Sequence, residues 1–278
     1  MFVLLPTCNT HAAIAAISAA MLDRYWPGHP TLHVLHYQVK PKIERAKQHD
    51  CGRQEQSSWL STVAGFLRTR TDEMFILLLD DYAMCGPART GSIDTGVDLM
   101  HRDQSVGMFP LCWYPAASRQ PRAGYANIVT LRPAPVLIQA AVWRRMWFLE
   151  LADRIDPRAA AWGFEAFATQ AAKQIPRDIC AADIPDPAWL GGRLVDGFDK
   201  RDWPLPYHNL MHRGQPEVQY EPFLAREGFA FPSRGLGDTI AKVVRATGIE
   251  RIIHSVKEGD CGCQGRRERL NRAVPYRT

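Results

Sequence analysis

The chain opens on an apolar run, Phe2 to Leu5, which stops at Pro6 and passes through small polar residues into the Ala- and Ile-rich stretch His11 to Leu22. A short apolar run, a turn and a longer stretch of helix formers read as strand, turn and helix. Thr31 to Tyr37 predicts a second strand. Between Ser57 and Arg70 the apolar positions Trp59, Leu60, Val63, Phe66 and Leu67 recur at helical spacing. This β-α-β-α succession predicts an α/β fold, a mainly parallel sheet flanked by helices. Met74 to Leu79 is continuously apolar, as in a central strand covered on both faces, and it runs straight into Asp80, Asp81 and Tyr82.

Further along, Ser105 to Leu111 and Ile128 to Leu131 predict strands, Ala134 to Arg154 a helix rich in Trp and Leu, and the stretch from Ala161 another short helix. From Ile184 to Tyr220, Pro, Gly, Trp and His crowd together without a sustained period, which predicts loops of the kind that form lids or binding segments. After Pro232 the pattern changes: Asp238 offers an N-cap, Thr239 to Arg245 and Ile249 to Val256 read as two helices, and Thr247-Gly248 separates them. The expected organisation is one domain over 1–233 and a small helical appendage over 234–278.

Composition changes this picture little. Of 278 residues, 46% are hydrophobic and 23% charged, which is ordinary for a globular chain and excludes a fibrous or wholly disordered one. No stretch reaches the roughly 18 apolar residues of a membrane span, and Phe2 to Leu5 lacks the basic leader of a signal peptide, so a cytoplasmic protein without a membrane span is expected. The seven cysteines are scattered and odd in number, as for reduced thiols; Cys261 and Cys263 supply two thiolates where a structural zinc site takes four ligands. Charge matters more. The net +5 lies wholly beyond residue 233, where ten Lys and Arg face five Asp and Glu. Such a tail is either a solvated basic helix or an attractor for nucleic acid or another anionic surface.

The sharpest chemical signal is the apolar strand emptying into Asp80 and Asp81. Ligands of parallel sheets bind beyond the carboxyl ends of the strands. Carboxylates placed there can hold Mg²⁺ or Mn²⁺ against a diphosphate, and the ion then neutralises charge on a departing nucleoside diphosphate. A turn or a helix cap is the plainer reading of the same two acids.

Phe2 to Asn9, Phe75 to Tyr82, Leu137 to Trp143 and Trp162-Gly163-Phe164-Glu165 together resemble, in order and spacing, bacterial and phage glycosyltransferases of the GT-A fold, over about residues 1–220. The resemblance implies a Rossmann-like sheet and a nucleotide-sugar donor, a UDP-sugar first of all. It implies that Pro6, Thr7 and Asn9 line the nucleotide pocket, that Asp80 and Asp81 face the donor, and that Asp81 holds Mn²⁺ or Mg²⁺. The chain reads Asp-Asp-Tyr where the family has Asp-x-Asp. Either Asp81 alone ligates while Asp80 bonds the ribose or sugar, or dependence on metal is weaker than in the family. Glu165 falls where inverting members carry the base that deprotonates the acceptor. His208 and His212 fall where many members recruit an additional metal ligand, and Arg213 where a basic side chain grips the diphosphate. Trp162 stacks on a sugar or packs in the core; His11, His33 and His36 read as structural.

The segment from Gly235 to Asn271, with Cys261-Gly262-Cys263 and Arg266, Arg267 and Arg269, resembles a short C-terminal module of phage-encoded proteins. With the basic excess it makes DNA an attractive acceptor, specifically a hydroxymethylated pyrimidine, with those arginines on the phosphates. A surface polysaccharide is the rival acceptor. A non-catalytic phage assembly protein and a nucleotidyltransferase are the other classes, and the lack of a Gly-rich phosphate loop counts against the last.

Overall fold

The computed structural model describes residues 1–53, 58–184, 189–190, 193–194, 200–212, 215–231 and 269. The chain divides into two compact units, Met1–Tyr220 and Glu221–Thr278.

In the first unit the expected α/β architecture, a mainly parallel sheet flanked by helices, is present as a nine-stranded sheet of order β3-β2-β1-β4-β9-β6-β10-β8-β7. Its strands are β1 (Phe2–Pro6), β2 (Leu32–His36), β3 (Ala46–Asp50), β4 (Met74–Leu77), β6 (Val106–Pro110), β7 (Ser118–Pro121), β8 (Ile128–Arg132), β9 (Ala141–Arg144) and β10 (Asp178–Ala182), with β5 (Tyr82–Met84) standing outside it. β3, β2, β1 and β4 run parallel; β9 is reversed between β4 and β6, and β8 is reversed between β10 and β7. Seven strands therefore share one direction.

Side chains alternate across the strands, so each face of the sheet needs its own cover. On one face Phe2, Leu4, Phe75, Leu77 and Trp143 bury against α2 (Trp59–Arg68), α4 (Arg145–Ala152) and α5 (Ala161–Ala171). α1 (Ala12–Tyr25) packs along β5, and α3 (Thr90–Arg102) packs on β6, β9 and β10. The order of the strands matters more than their number. From β1 the chain moves outward through β2 and β3, then returns to place β4 on the other side of β1. The crevice between the carboxyl ends of β1 and β4 is thus a topological switch point, where open α/β sheets bind ligands.

The structure corrects one element. The helix expected from Ala134 to Arg154 is instead an extended segment, then β9, then the shorter α4. Val136 to Trp143 is apolar almost throughout, and its end, Ala141 to Trp143, is buried at the centre of the sheet, where a covered strand and a buried helix show the same pattern. The strands β3, β7 and β10 and the helix α3 are additions to the predicted set.

Smaller ladders complete the unit: β11 (Trp189–Leu190) with β12 (Arg193–Leu194), β13 (Tyr207–Asn209) with β5, and β14 (Met211–His212) with β15 (Gln215–Pro216). In the second unit α6 (Glu221–Arg226) buries Phe223 and Leu224. The helices expected over 239–245 and 249–256 lie outside the described residues. No described helix is long and apolar enough to cross a membrane.

Candidate functional site

At the switch point lies a cleft of about 720 Å³. Pro6, Thr7 and Cys8 enter it from the end of β1, and Leu79, Asp80 and Asp81 from the end of β4. Opposite them stand Ser58, Trp59 and Ser61 at the start of α2 and Ala160, Ala161 and Trp162 at the start of α5. The α2 terminus is closed by a reciprocal Ser58–Ser61 capping box, whereas Ala160 gives α5 no side-chain cap. A helix start carries partial positive charge and orphan amides, so α5 offers the cleft donors for an anion.

The two acids are pinned differently. Asp80 accepts from Thr7 Oγ1 at 2.8 Å on Oδ2, meets His11 Nδ1 at 3.2 Å on Oδ1, and accepts from Ser18 Oγ at 2.8 Å on its backbone oxygen. Hydrogen bonds to Asp80 and to Cys8, with their charge, hold the His11 imidazole protonated and raise it to about 10, against the cost of burial. Burial pushes the Cys8 thiol up, but its bonds to His11 and Thr10 and the His11 charge outweigh it, leaving the thiol below its ordinary value.

The Asp81 side chain has less support, a hydrogen bond from its own backbone and the charge of His11. Leu210 N–H donates to its backbone oxygen at 2.8 Å. The side chain is buried, and among the described residues Oδ1 has no hydrogen-bond partner. Burial, then the neighbouring Asp80 charge, push its carboxyl up to about 7. An oxygen that is buried, unpartnered and part of a cleft wall fits a hard cation such as Mg²⁺ or Mn²⁺, which would restore the charged form.

The other predicted residues divide. Asn9 is not among the residues that line the cleft; its amide donates to Gln38 Oε1 at 2.7 Å and its Oδ1 accepts from Val39 N–H at 2.9 Å, tying the loops after β1 and β2 together. Glu165 Oε1 accepts the Ile138 N–H at 2.8 Å, and burial raises its carboxyl. It stands on α5, one turn beyond the residues that line the cleft. The charges of Asp81 and Glu165 both reach the Tyr82 hydroxyl, whose pKa burial raises first of all. Pairing of β13 with β5 sets His208 opposite Ala83, but its ring stacks on Tyr220 at 4.4 Å and its Nδ1 lies 3.4 Å from Lys200 Nζ. His212 lies on β14, its side chain undescribed, and Arg213, Arg266 and Arg267 lie outside the described residues. Arg269 is exposed.

Cys8, Ser58 and Ser61 line the cleft without having been singled out by the sequence pattern, and His11, read there as structural, lines it too. Their one signal is position, immediately after β1 and immediately before an amphipathic helix. Trp162, weighed between sugar and core, is 67% exposed at the cleft, which excludes core packing.

Neither a protein-family model nor a curated protein matches the chain. Among solved structures, a CMP:2-keto-3-deoxy-manno-octonic acid synthetase complexed with CTP is similar at 11% identity and a TM-score of 0.43, covering 66% of this chain and 89% of the other. A UDP-glucose pyrophosphorylase complexed with UDP-glucose is similar at 10% identity and a TM-score of 0.44, covering 66% and 90%. Residues 1–349 of S. aureus TarS are similar at 10% identity and a TM-score of 0.44, covering 66% and 59%.

Proposed function

We propose that the chain is a glycosyltransferase that takes a sugar from a nucleotide-sugar donor, a UDP-sugar first of all, and passes it to a hydroxyl acceptor. The observation that carries this reading is the cleft at the β1–β4 switch point, with Asp81, whose buried Oδ1 has no hydrogen-bond partner among the described residues, on one wall and an uncapped helix start on the other. Two carboxylates beside a diphosphate would repel it unless a divalent cation intervened. Asp81 is the residue that would hold Mn²⁺ or Mg²⁺, with His208 and His212 the further ligands that the resemblance implies; when bound, the ion neutralises charge on the leaving diphosphate.

The chain's own groups account for the rest. Protonated His11 and the α5 amides attract the diphosphate from opposite sides of the cleft, and Arg213 is the guanidinium that the resemblance assigns to the same diphosphate. Thr7 holds Asp80 so that its carboxylate can accept from a ribose or sugar hydroxyl. The exposed indole of Trp162 offers an apolar face to a sugar ring. Glu165 is the acceptor base in this reading. Burial lifts its carboxyl toward neutral pH, where a base works best, and because Oε1 holds the Ile138 amide the proton would go to Oε2. The basic C-terminal segment favours DNA carrying a hydroxymethylated pyrimidine as the first acceptor to try, and a surface polysaccharide as the second.

The test is to incubate the full chain with a panel of nucleotide sugars, Mn²⁺ or Mg²⁺ and each acceptor, and to weigh the products. Asp81→Ala should abolish transfer with the fold intact. Glu165→Gln should leave donor affinity unchanged and lower turnover by about 10²- to 10⁴-fold. If no nucleotide sugar binds with either ion present, or if Asp81→Ala transfers normally, the reading is wrong.

A further inference from the structure

The turn after β1 carries a second, chemically different set of ligands. Cys8, His11 and Asp80 each offer one donor atom, and the three atoms lie within 4.8 Å of one another. The chain brings two of them together locally. Cys8 precedes the single 3₁₀ turn Asn9–His11, and side chains three residues apart on such a turn eclipse one another. The third arrives from β4, and its carboxylate is already oriented: Thr7 Oγ1 occupies Oδ2, and Ser18 Oγ holds the backbone oxygen, which leaves Oδ1 toward His11 at 3.2 Å. Ligands steered by outer hydrogen bonds of this kind are the mark of a built metal site.

We infer that Cys8, His11 and Asp80 form a three-ligand site for a borderline-soft divalent ion of the Zn²⁺ class, with its fourth position open to the cleft. One thiolate, one imidazole and one carboxylate suit zinc or cobalt and disfavour magnesium or calcium, which take oxygen almost alone. Three protein ligands and an open position make the arrangement of reactive zinc sites, whereas structural sites close all four. All three residues line the cleft, so the open position faces its interior. When the ion binds, Cys8 gives up its thiol proton and His11 the proton it shares with Asp80; both pass to solvent, and the ion takes over the charge that this proton carried. A phosphate oxygen is the class of ligand that such an open position would take. That last step rests on the nucleotide-sugar reading of the cleft; the metal site itself does not.

Cobalt makes the site visible, because a thiolate bound to Co²⁺ gives a near-ultraviolet charge-transfer band and four-coordinate Co²⁺ absorbs strongly in the visible. Titrating the metal-stripped full chain with Co²⁺ should give both bands at one ion per chain, unaffected by excess Mg²⁺ and abolished by Zn²⁺. Cys8→Ser should remove the charge-transfer band, and His11→Ala or Asp80→Asn should weaken Co²⁺ by at least about 10-fold, no less than is usual for loss of a supporting residue. A band that persists in Cys8→Ser arises from other cysteines and overturns the inference, as does the absence of any band from the wild-type chain. Should a variant fail to fold, alkylation of the wild-type protein decides the matter. Zn²⁺ should protect Cys8 from iodoacetamide, read by peptide mass, and equal labelling with and without Zn²⁺ overturns the site. Binding of UDP to the metal-stripped chain and to the chain with Mg²⁺, measured by calorimetry, tests the nucleotide reading separately.

Discussion

Asp81 is held where folding disfavours its own charge. Its carboxyl is pushed up to about 7, by burial and then by Asp80, from an ordinary value of 3.8. Between those two values the folded chain binds more protons than the unfolded one, so the contribution of Asp81 to stability falls as pH rises and is wholly unfavourable above pH 7. Replacing it with Asn removes the charge and keeps the shape. Asp81→Asn should therefore stabilise the metal-free protein at pH 8 by up to about 4 kcal/mol, while near pH 4 the two proteins should melt alike. Denaturant unfolding at the two pH values checks this, and a variant less stable than wild type at pH 8 contradicts the account. Mn²⁺ should raise the melting temperature of the wild type at pH 8 more than that of the variant. A residue that weakens the empty protein and is needed in the loaded one is what a binding site requires and a structural turn does not.

At the scale of elements the informative residue is a glycine. β6 pairs Val106 with Asp178 and Met108 with Ile179 of β10, so Gly107 is an extra residue opposite the join. A bulge of this kind turns its residue out of the alternation, and a Cβ added at Gly107 would come within 2.4 Å of the Trp147 ring and 2.7 Å of Arg177 Cβ. Gly107→Ala should cost about 2 kcal/mol by overpacking α4 against the sheet, whereas Gly65→Ala, on an exposed position of α2 with nothing within 4 Å, should stabilise slightly. Thermal melts of the two variants that shift in the same direction would contradict this packing. The same elements show what a sequence makes legible. β1 and β4 are legible because each is a continuous apolar run between turn residues, β2 because its Leu32, Val34 and Leu35 sit between turn residues, and Asp80 and Asp81 because an apolar run ends on them. β3, with its Lys47, Gln48, His49 and Asp50, is an edge strand held by pairing with β2 and carries no apolar period. β9 was hidden because a strand buried on both faces shows the same apolar run as a buried helix. His11 and Ser58 were hidden for a different reason: their meaning comes from partners 69 and 99 residues away, Asp80 and the Pro157 carbonyl, and no local pattern carries that.

Over the whole molecule the charge is divided more sharply than the fold. Residues 1–233 carry 24 basic and 24 acidic side chains, and the entire net +5 lies beyond them. Net charge of either sign favours solubility, but long-range attraction to a polyanion depends on the basic sign of this tail. Arg266, Arg267 and Arg269 stand close enough that on one helix they cannot all be buried, and Arg269 is exposed. Each guanidinium that meets a phosphate releases about 0.9 of a counterion from duplex DNA, so binding weakens with salt in proportion to the number of contacts. Replacing all three with Ala in the full chain should lower affinity for a generic duplex and flatten the slope of log affinity against log salt by up to about 2.7. Affinity for the nucleotide sugar should not change, since the described lining of the cleft between β1 and β4 comes from residues between Pro6 and Trp162. Electrophoretic or anisotropy titrations at several salt concentrations provide the measurement. An unchanged slope in the triple variant would remove DNA from among the partners of this tail, and a saccharide would then be the acceptor that the cleft is left to serve.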